Sequence, residues 1–220
     1  MNSLPRILIV AATEIELAPL RQCLQHRTDI DFAVTGVGVL QTTYNLTRRL
    51  AAQHYQWAVC VGIAGSFVPH LQAGDVTLVH TERLDDLSNS QYMQGFEGAF
   101  ARGLTDANQP PFVNETLLCA YTTAVNKKLR LVETQSLTVS LLAQNAAQAQ
   151  ERHSFYGTAI ETMEGAAFFY VCSLQNLPFV ELRSISNRVG VADKAQWNVP
   201  LALERLAVAA HKLVEALHKL

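Results

Sequence analysis

The sequence predicts an α/β domain, a mostly parallel or mixed central β-sheet flanked by helices, in one unit spanning residues 1–220. Three observations carry this. Short all-apolar runs such as "RILIVAA" (6–12) and "WAVCVGIAG" (57–65) are what strands covered on both faces require. Such runs alternate with segments of helical spacing, with no linker between them, which favours parallel pairing with helices on both faces. The chain has 220 residues, 49% hydrophobic and 16% charged, enough to bury one large core.

Taken in order, "RILIVAA" is the first strand and "TEIELAPLRQCL" (13–24) has helical character. "IDFAVTGVG" (30–38) reads as a strand running into a glycine turn, followed by a helix from Leu40 to about Tyr55. "WAVCVGIAG" is the most strand-like stretch, and "DVTLVHTERL" (75–84) is another β segment. Residues 85–111 are rich in Gly, Asn, Gln and Ser and are expected to be mainly loop. "LRLVETQSLTVSLLA" (129–143) suggests one strand near its end. "ETMEGAAFFYVCSLQ" (161–175) has Ala, Phe and Tyr at helical spacing. "LPFVELRSIS" (177–186) is the last strand, and "VPLALERLAVAAHKLVEALHKL" closes the chain as an amphipathic helix.

Composition excludes several function classes. The net charge is −2 and no basic run exceeds two residues, so neither nucleic acid nor a membrane surface is an expected partner. Seven histidines show no ligand-like spacing, and no metal is expected. Cys23, Cys60, Cys119 and Cys172 lie far apart and read as reduced, mostly buried thiols. The apolar run near the start is too short for a signal peptide or a membrane span, which points to the cytoplasm. "GVGVLQ" lacks the third glycine of a dinucleotide fingerprint, and no Walker lysine follows a glycine-rich stretch. No GxSxG elbow is present either. No cofactor is expected.

Polar residues gather where the strands end, the usual place for ligands in an open α/β sheet. Glu14 and Glu16 follow the first strand, Gly36 and Gly38 the second, and "GIAG" (62–65) the third. Ser186 and Asn187 follow the last strand, and Glu161 with Glu164 opens the buried helix. Each also has a plain structural reading. The four glutamates suit helix first turns, the glycines suit tight turns, and Ser186 and Asn187 suit caps. Their convergence on one rim of the sheet is the functional signal.

The stretches "ILIVAATEIEL", "TGVGVLQTTYNL", "VGIAGSF", "ETMEGAA" and "LPFVELRSISN" together resemble the nucleoside phosphorylase and nucleosidase superfamily over nearly the whole chain. Within it, "RSISNRVGVADKAQWNVPLAL" is most similar to the futalosine hydrolases of menaquinone biosynthesis, through the Asn after Ile-Ser and the downstream Trp197. The resemblance implies a nucleoside substrate and a homo-oligomer, and it assigns roles. Glu16 corresponds to the acid that orients and deprotonates the attacking water. Met163 and Glu164 correspond to the ribose-holding pair, because a carboxylate can accept from both vicinal hydroxyls. Ala64 and Gly65 would line the floor, and Ile63 stands where related nucleosidases carry Ser.

A phosphorylase would need cations beside a phosphate dianion, yet the loop after strand one offers Glu14 and Glu16, so water is the expected nucleophile. Adenosine-type nucleosidases carry Asp where this chain has Asn187. An amide can donate to N7 and to a 6-oxo oxygen, so Asn187, steadied by Ser186, is expected to favour a 6-oxopurine nucleoside such as futalosine or inosine. A methylthioadenosine or adenosylhomocysteine nucleosidase, a purine nucleoside phosphorylase and a non-catalytic nucleoside-binding protein stay open as alternatives. So does the reader of the C5′ substituent: the 85–111 loop, the 138–156 segment or a neighbouring subunit.

Overall fold

Ile7–Ala11 (β1) is buried on both faces, as its unbroken apolar run requires, and lies between Ile30–Val34 (β2) and Trp57–Ser66 (β3), parallel to both. This is the computed structural model of the chain, describing residues 5–88 and 97–220. Glu14–Cys23 (α1) and Val39–Ala52 (α2) supply the two first crossovers. The remaining elements are Val76–Leu84 (β4), Thr116–Leu118 (β5), Thr122–Leu129 (α3), Val132–Thr138 (β6), Ala146–Tyr156 (α4), Ile160–Thr162 (β7), Gly165–Leu174 (α5), Phe179–Arg188 (β8) and Val199–Leu217 (α6).

The sheet is mixed and more closed than the open doubly wound sheet expected from the sequence. β8 runs parallel to β3 along its full length and antiparallel to β4; β4 pairs β6, β6 pairs β7, and β7 returns antiparallel to β3. Five strands therefore form a ring, with β1 and β2 extending from the N-terminal half of β3. One consequence positions the site. β1 occupies one edge of β3 at Trp57–Cys60, and β7 occupies the same edge at Gly65–Ser66. Between them, residues 61–64 have no strand partner on that edge among the described residues, and their backbone groups face a split in the sheet.

Several boundaries differ from expectation. The strand in 129–143 occupies Val132–Thr138, the middle of the segment rather than its end. Residues 161–175 are not one helix: β7 takes Ile160–Thr162, a bend follows, and α5 begins at Gly165. The last strand starts at Phe179 and does not stop at Ser186 but continues through Asn187 to Arg188. Gly62 and Gly65 lie within β3 rather than in turns, whereas Gly36 and Gly38 do occupy turns, with φ of +88° and +85°. The described residues of 85–111 are turns and irregular structure, as expected; residues 89–96 of that segment lie outside the described residues.

The core is continuous across β1, β3 and β8. Phe168, Phe169 and Phe179 meet edge to face between α5 and β8. α6 packs its apolar stripe, including Leu206, Leu213 and Leu217, against α1, β3 and β8. Among the described residues, no helix is long and apolar enough to cross a membrane.

Candidate active site

Glu16 is the third residue of α1, and its side chain folds back to accept from the backbone N–H and hydroxyl of Thr13 at 3.0 and 2.8 Å. This is the capping-box geometry, which satisfies an orphan donor at the helix start. The other carboxylate oxygen accepts from the Ile63 N–H at 3.1 Å, one of the groups freed by the split edge of β3. The Ile63 backbone, not its side chain, thus fixes Glu16. Glu14 behaves differently: it turns to solvent, pairs with Arg21 and does not line the cavity. Only one of the two acids expected at this loop therefore faces the site.

Glu164 caps α5 across the same split. Its Oε1 accepts from the Gly38 N–H at 2.9 Å, an arrangement that the positive φ of Gly38 permits, and its Oε2 lies 4.0 Å from Arg183 Nη1. Burial pushes the Glu164 carboxyl up, and the neighbouring Glu16 adds to this, while Arg183 and the Gly38 N–H oppose it. Arg183 is 1% exposed and donates through Nε to Glu181 Oε1 at 2.7 Å. Sequence reasoning passed over this buried cation; its only signal was an arginine alternating into a fully buried strand face.

Two glycines are explained by close approach. A Cβ on Gly62 would collide with Arg183 Nη1 and stand 2.9 Å from Glu16 Oε1. A Cβ on Gly165 would collide with Glu82 and stand 2.9 Å from Glu181 Oε1. Glu82 is wholly buried, accepts from the Thr138 hydroxyl at 2.8 Å, and is pushed well above the usual carboxylate range by burial and by the adjacent Glu181. Burial pushes the adjacent Glu181 carboxyl up as well, and its pairing with Arg183 opposes that shift.

On β8 the register slips between Ala64 and Gly65, leaving Ser186 as an extra residue and placing Asn187 opposite Gly65. The Ser186 hydroxyl donates to Asn187 Oδ1 at 2.7 Å, and Asn187 Nδ2 donates to the Arg188 carbonyl at 2.9 Å. Both contacts require an oxygen and an N–H₂ group in these places, so one N–H of Asn187 is left for a ligand.

These side chains share one cavity of about 360 Å³, within the range of small-ligand sites. Glu16, Ala64, Gly65, Met163, Glu164, Ser186 and Asn187 all line it. The seven residues given a catalytic or substrate-binding role from the sequence are thus brought together, whereas Glu14, Gly36 and Gly38 do not line the cavity. Its other charged lining residues are Glu161 and Lys194, with no arginine among the described residues. Leu142 and Ala143 bring in the 138–156 segment, and Trp197 and Val191 close one wall, where the indole N–H donates to the Val191 carbonyl at 2.9 Å. No described residue of 85–111 lines it. Among the described residues, no group of three or more His, Cys, Asp or Glu side chains could hold a metal ion.

Residues 25–219 match the model of the phosphorylase superfamily. The chain belongs to that superfamily. Its curated relatives include futalosine hydrolase from Streptomyces coelicolor, 32% identical over 169 residues, which cover 76% of this chain and 69% of the relative. Futalosine hydrolase from Thermus thermophilus is 28% identical over 187 residues, covering 85% of this chain and 82% of the relative. An S-adenosylhomocysteine nucleosidase from Streptococcus pyogenes superposes with a TM-score of 0.78 at 18% identity, covering 98% of both chains. At that identity the likeness speaks for the fold alone.

Proposed function

We propose that this nucleosidase-type member of the superfamily hydrolyses the N-glycosidic bond of a 6-oxopurine nucleoside, with futalosine the foremost candidate. The observation that carries the reading is the amide at position 187, which lines the cavity and keeps one N–H beyond its bonds with the Ser186 hydroxyl and the Arg188 carbonyl. An N–H donor suits O6 or N7 of hypoxanthine, and it stabilises the departing base as an anion. The futalosine hydrolase relatives support the same substrate.

In the proposed reaction the C1′–N9 bond breaks, the bonding pair leaves with the base, and water adds to an oxocarbenium-like C1′. Glu16, positioned by three N–H and O–H donors, orients that water and takes its proton. Glu164 accepts from the ribose hydroxyls, and Met163 lies against the sugar. Among the described residues, three carboxylates and no arginine line the cavity, which favours water over a phosphate dianion as nucleophile. We also read the chain as a homo-oligomer: α2 exposes Leu40 and Tyr44 at 86% and 65%, close to Val37 at the cavity wall.

The test is a substrate panel of futalosine, aminofutalosine, inosine and methylthioadenosine, each with and without phosphate, with free base measured by chromatography. Hypoxanthine released fastest from futalosine, independently of phosphate, is the expected result. Preferential adenine release would move the protein to the adenosine-type nucleosidases, and phosphate-dependent turnover to the phosphorylases. Binding without base release would make it a nucleoside-binding protein.

A further inference from the structure

Glu161, Gly65 and Asn187 occupy one row across three neighbouring strands. Glu161 on β7 pairs with Gly65 on β3, and Gly65 pairs with Asn187 on β8. Residues directly opposite in a ladder point to the same face, and adjacent strands lie about 4.8 Å apart, so the two flanking Cα atoms stand roughly 10 Å apart over a glycine. A Cβ at Gly65 would come 3.5 Å from Asn187 Nδ2, which puts the amide on the face that the missing side chain leaves open. All three residues line the cavity. The result is a slot with a flat floor, an amide on one side and a carboxylate on the other.

Glu161 is 5% exposed, and only one of its oxygens is engaged. Oε2 accepts from Arg152 Nη1, reaching from α4, while Oε1 makes no hydrogen bond among the described residues. Burial pushes this carboxyl up, and Arg152 opposes that by favouring the ionised form. Glu161 lines the cavity, so a ligand bound there can supply the donor that this second oxygen accepts. The mechanism proposed above does not use it.

We propose that Glu161 is a specificity-determining residue that accepts a hydrogen bond from the N1–H of a 6-oxopurine held between it and Asn187. The chemistry separates the two purine classes. A 6-oxopurine is a lactam, presenting O6 as acceptor and N1–H as donor. A 6-aminopurine presents N1 as a lone pair, which a carboxylate repels. Asn187 and Glu161 thus form a donor and an acceptor on opposite sides of the slot, matched to the lactam and mismatched to adenine. This rests on the 6-oxopurine reading and deepens it by naming the second group that reads the base.

The experiment is calorimetric binding of hypoxanthine, 1-methylhypoxanthine and adenine to the full chain, wild type and Glu161→Gln. In the variant, Arg152 holds the amide oxygen, so the N–H₂ group faces the base and suits the N1 lone pair of adenine. The ratio of hypoxanthine to adenine affinity is expected to move toward adenine by about ten- to a hundredfold. A merely structural role would weaken both bases equally, and that result overturns the proposal. A wild type without preference for hypoxanthine instead overturns the 6-oxopurine reading itself. Should Glu161→Gln not fold, the wild type still decides: 1-methylhypoxanthine, which lacks the N1–H, is expected to bind about tenfold or more weaker than hypoxanthine, and equal binding refutes the proposal.

Discussion

At Glu16 one carboxylate closes the first turn of α1 and lines the cavity, so its capping role and its proposed role as base are compatible in one side chain. Glu16→Gln retains the shape and the bond from Ile63 but removes the base. Turnover should fall by ~10²–10⁴-fold while nucleoside binding persists, as measured by steady-state kinetics beside calorimetry. Near-normal turnover would remove Glu16 from the mechanism. Glu164→Ala should lower affinity and rate together, and a 2′-deoxy substrate should be less sensitive to the change than its ribo counterpart; equal penalties on both would count against a sugar-holding role. The residues of this site were legible because carboxylates and amides are out of place at buried strand ends. Arg183 was not, and Glu161 was legible only as a candidate without its partner, since Glu164 and Arg152 come from other elements and only the fold brings them to these side chains.

Gly62 and Gly165 transmit the site's requirements to whole elements. Gly62→Ala drives a methyl group into the space between Arg183 and Glu16, so β3 must shift or one of the two must leave its place. Activity is expected to fall by more than tenfold with β3 still formed, as read by kinetics and circular dichroism together. Gly165→Ala presses on the Glu82 and Glu181 carboxyls where α5 begins, and should cost about 1–3 kcal/mol in urea unfolding; an unchanged midpoint would mean that the junction can relax. The long elements were readable from sequence because burial on both faces writes continuous apolar runs, as in β1 and β3. β5 and β7 were not, since three residues are too few for a period to emerge. In "IETMEGAA" the strand passes into the helix within two residues, so helical spacing dominates the window. β8 was cut short because the polar pair looked like a terminus, whereas the ladder to β3 carries it on past a bulge.

At the scale of the molecule, the closed ring of five strands surrounds ionisable groups that tie stability to pH. Glu82 keeps its proton in the folded state well above the ordinary value of 4.5, so the folded chain binds a proton that the unfolded chain releases. Its contribution is fully present below about 4.5 and is lost as pH rises through the higher folded-state value. Glu82→Gln keeps a neutral hydrogen-bonding group and should flatten that decline, making the variant relatively more stable than wild type as pH rises; parallel slopes in thermal unfolding across pH 5–9 (~4 units, spanning this window) would contradict it. The split edge of β3, the bulge on β8 and the two glutamate-bearing turns together build a cavity, and the reaction proposed for it turns on the amide at position 187. The most direct test of that claim is the ratio of kcat/KM for futalosine to that for aminofutalosine, in wild type and in Asn187→Asp. The carboxylate places acceptor lone pairs against O6 and the Arg188 carbonyl, so the ratio should fall by roughly ten- to a hundredfold, toward the amino substrate. A ratio that stays where the wild type sets it would contradict the account, because Asn187 would then not be reading the 6-position.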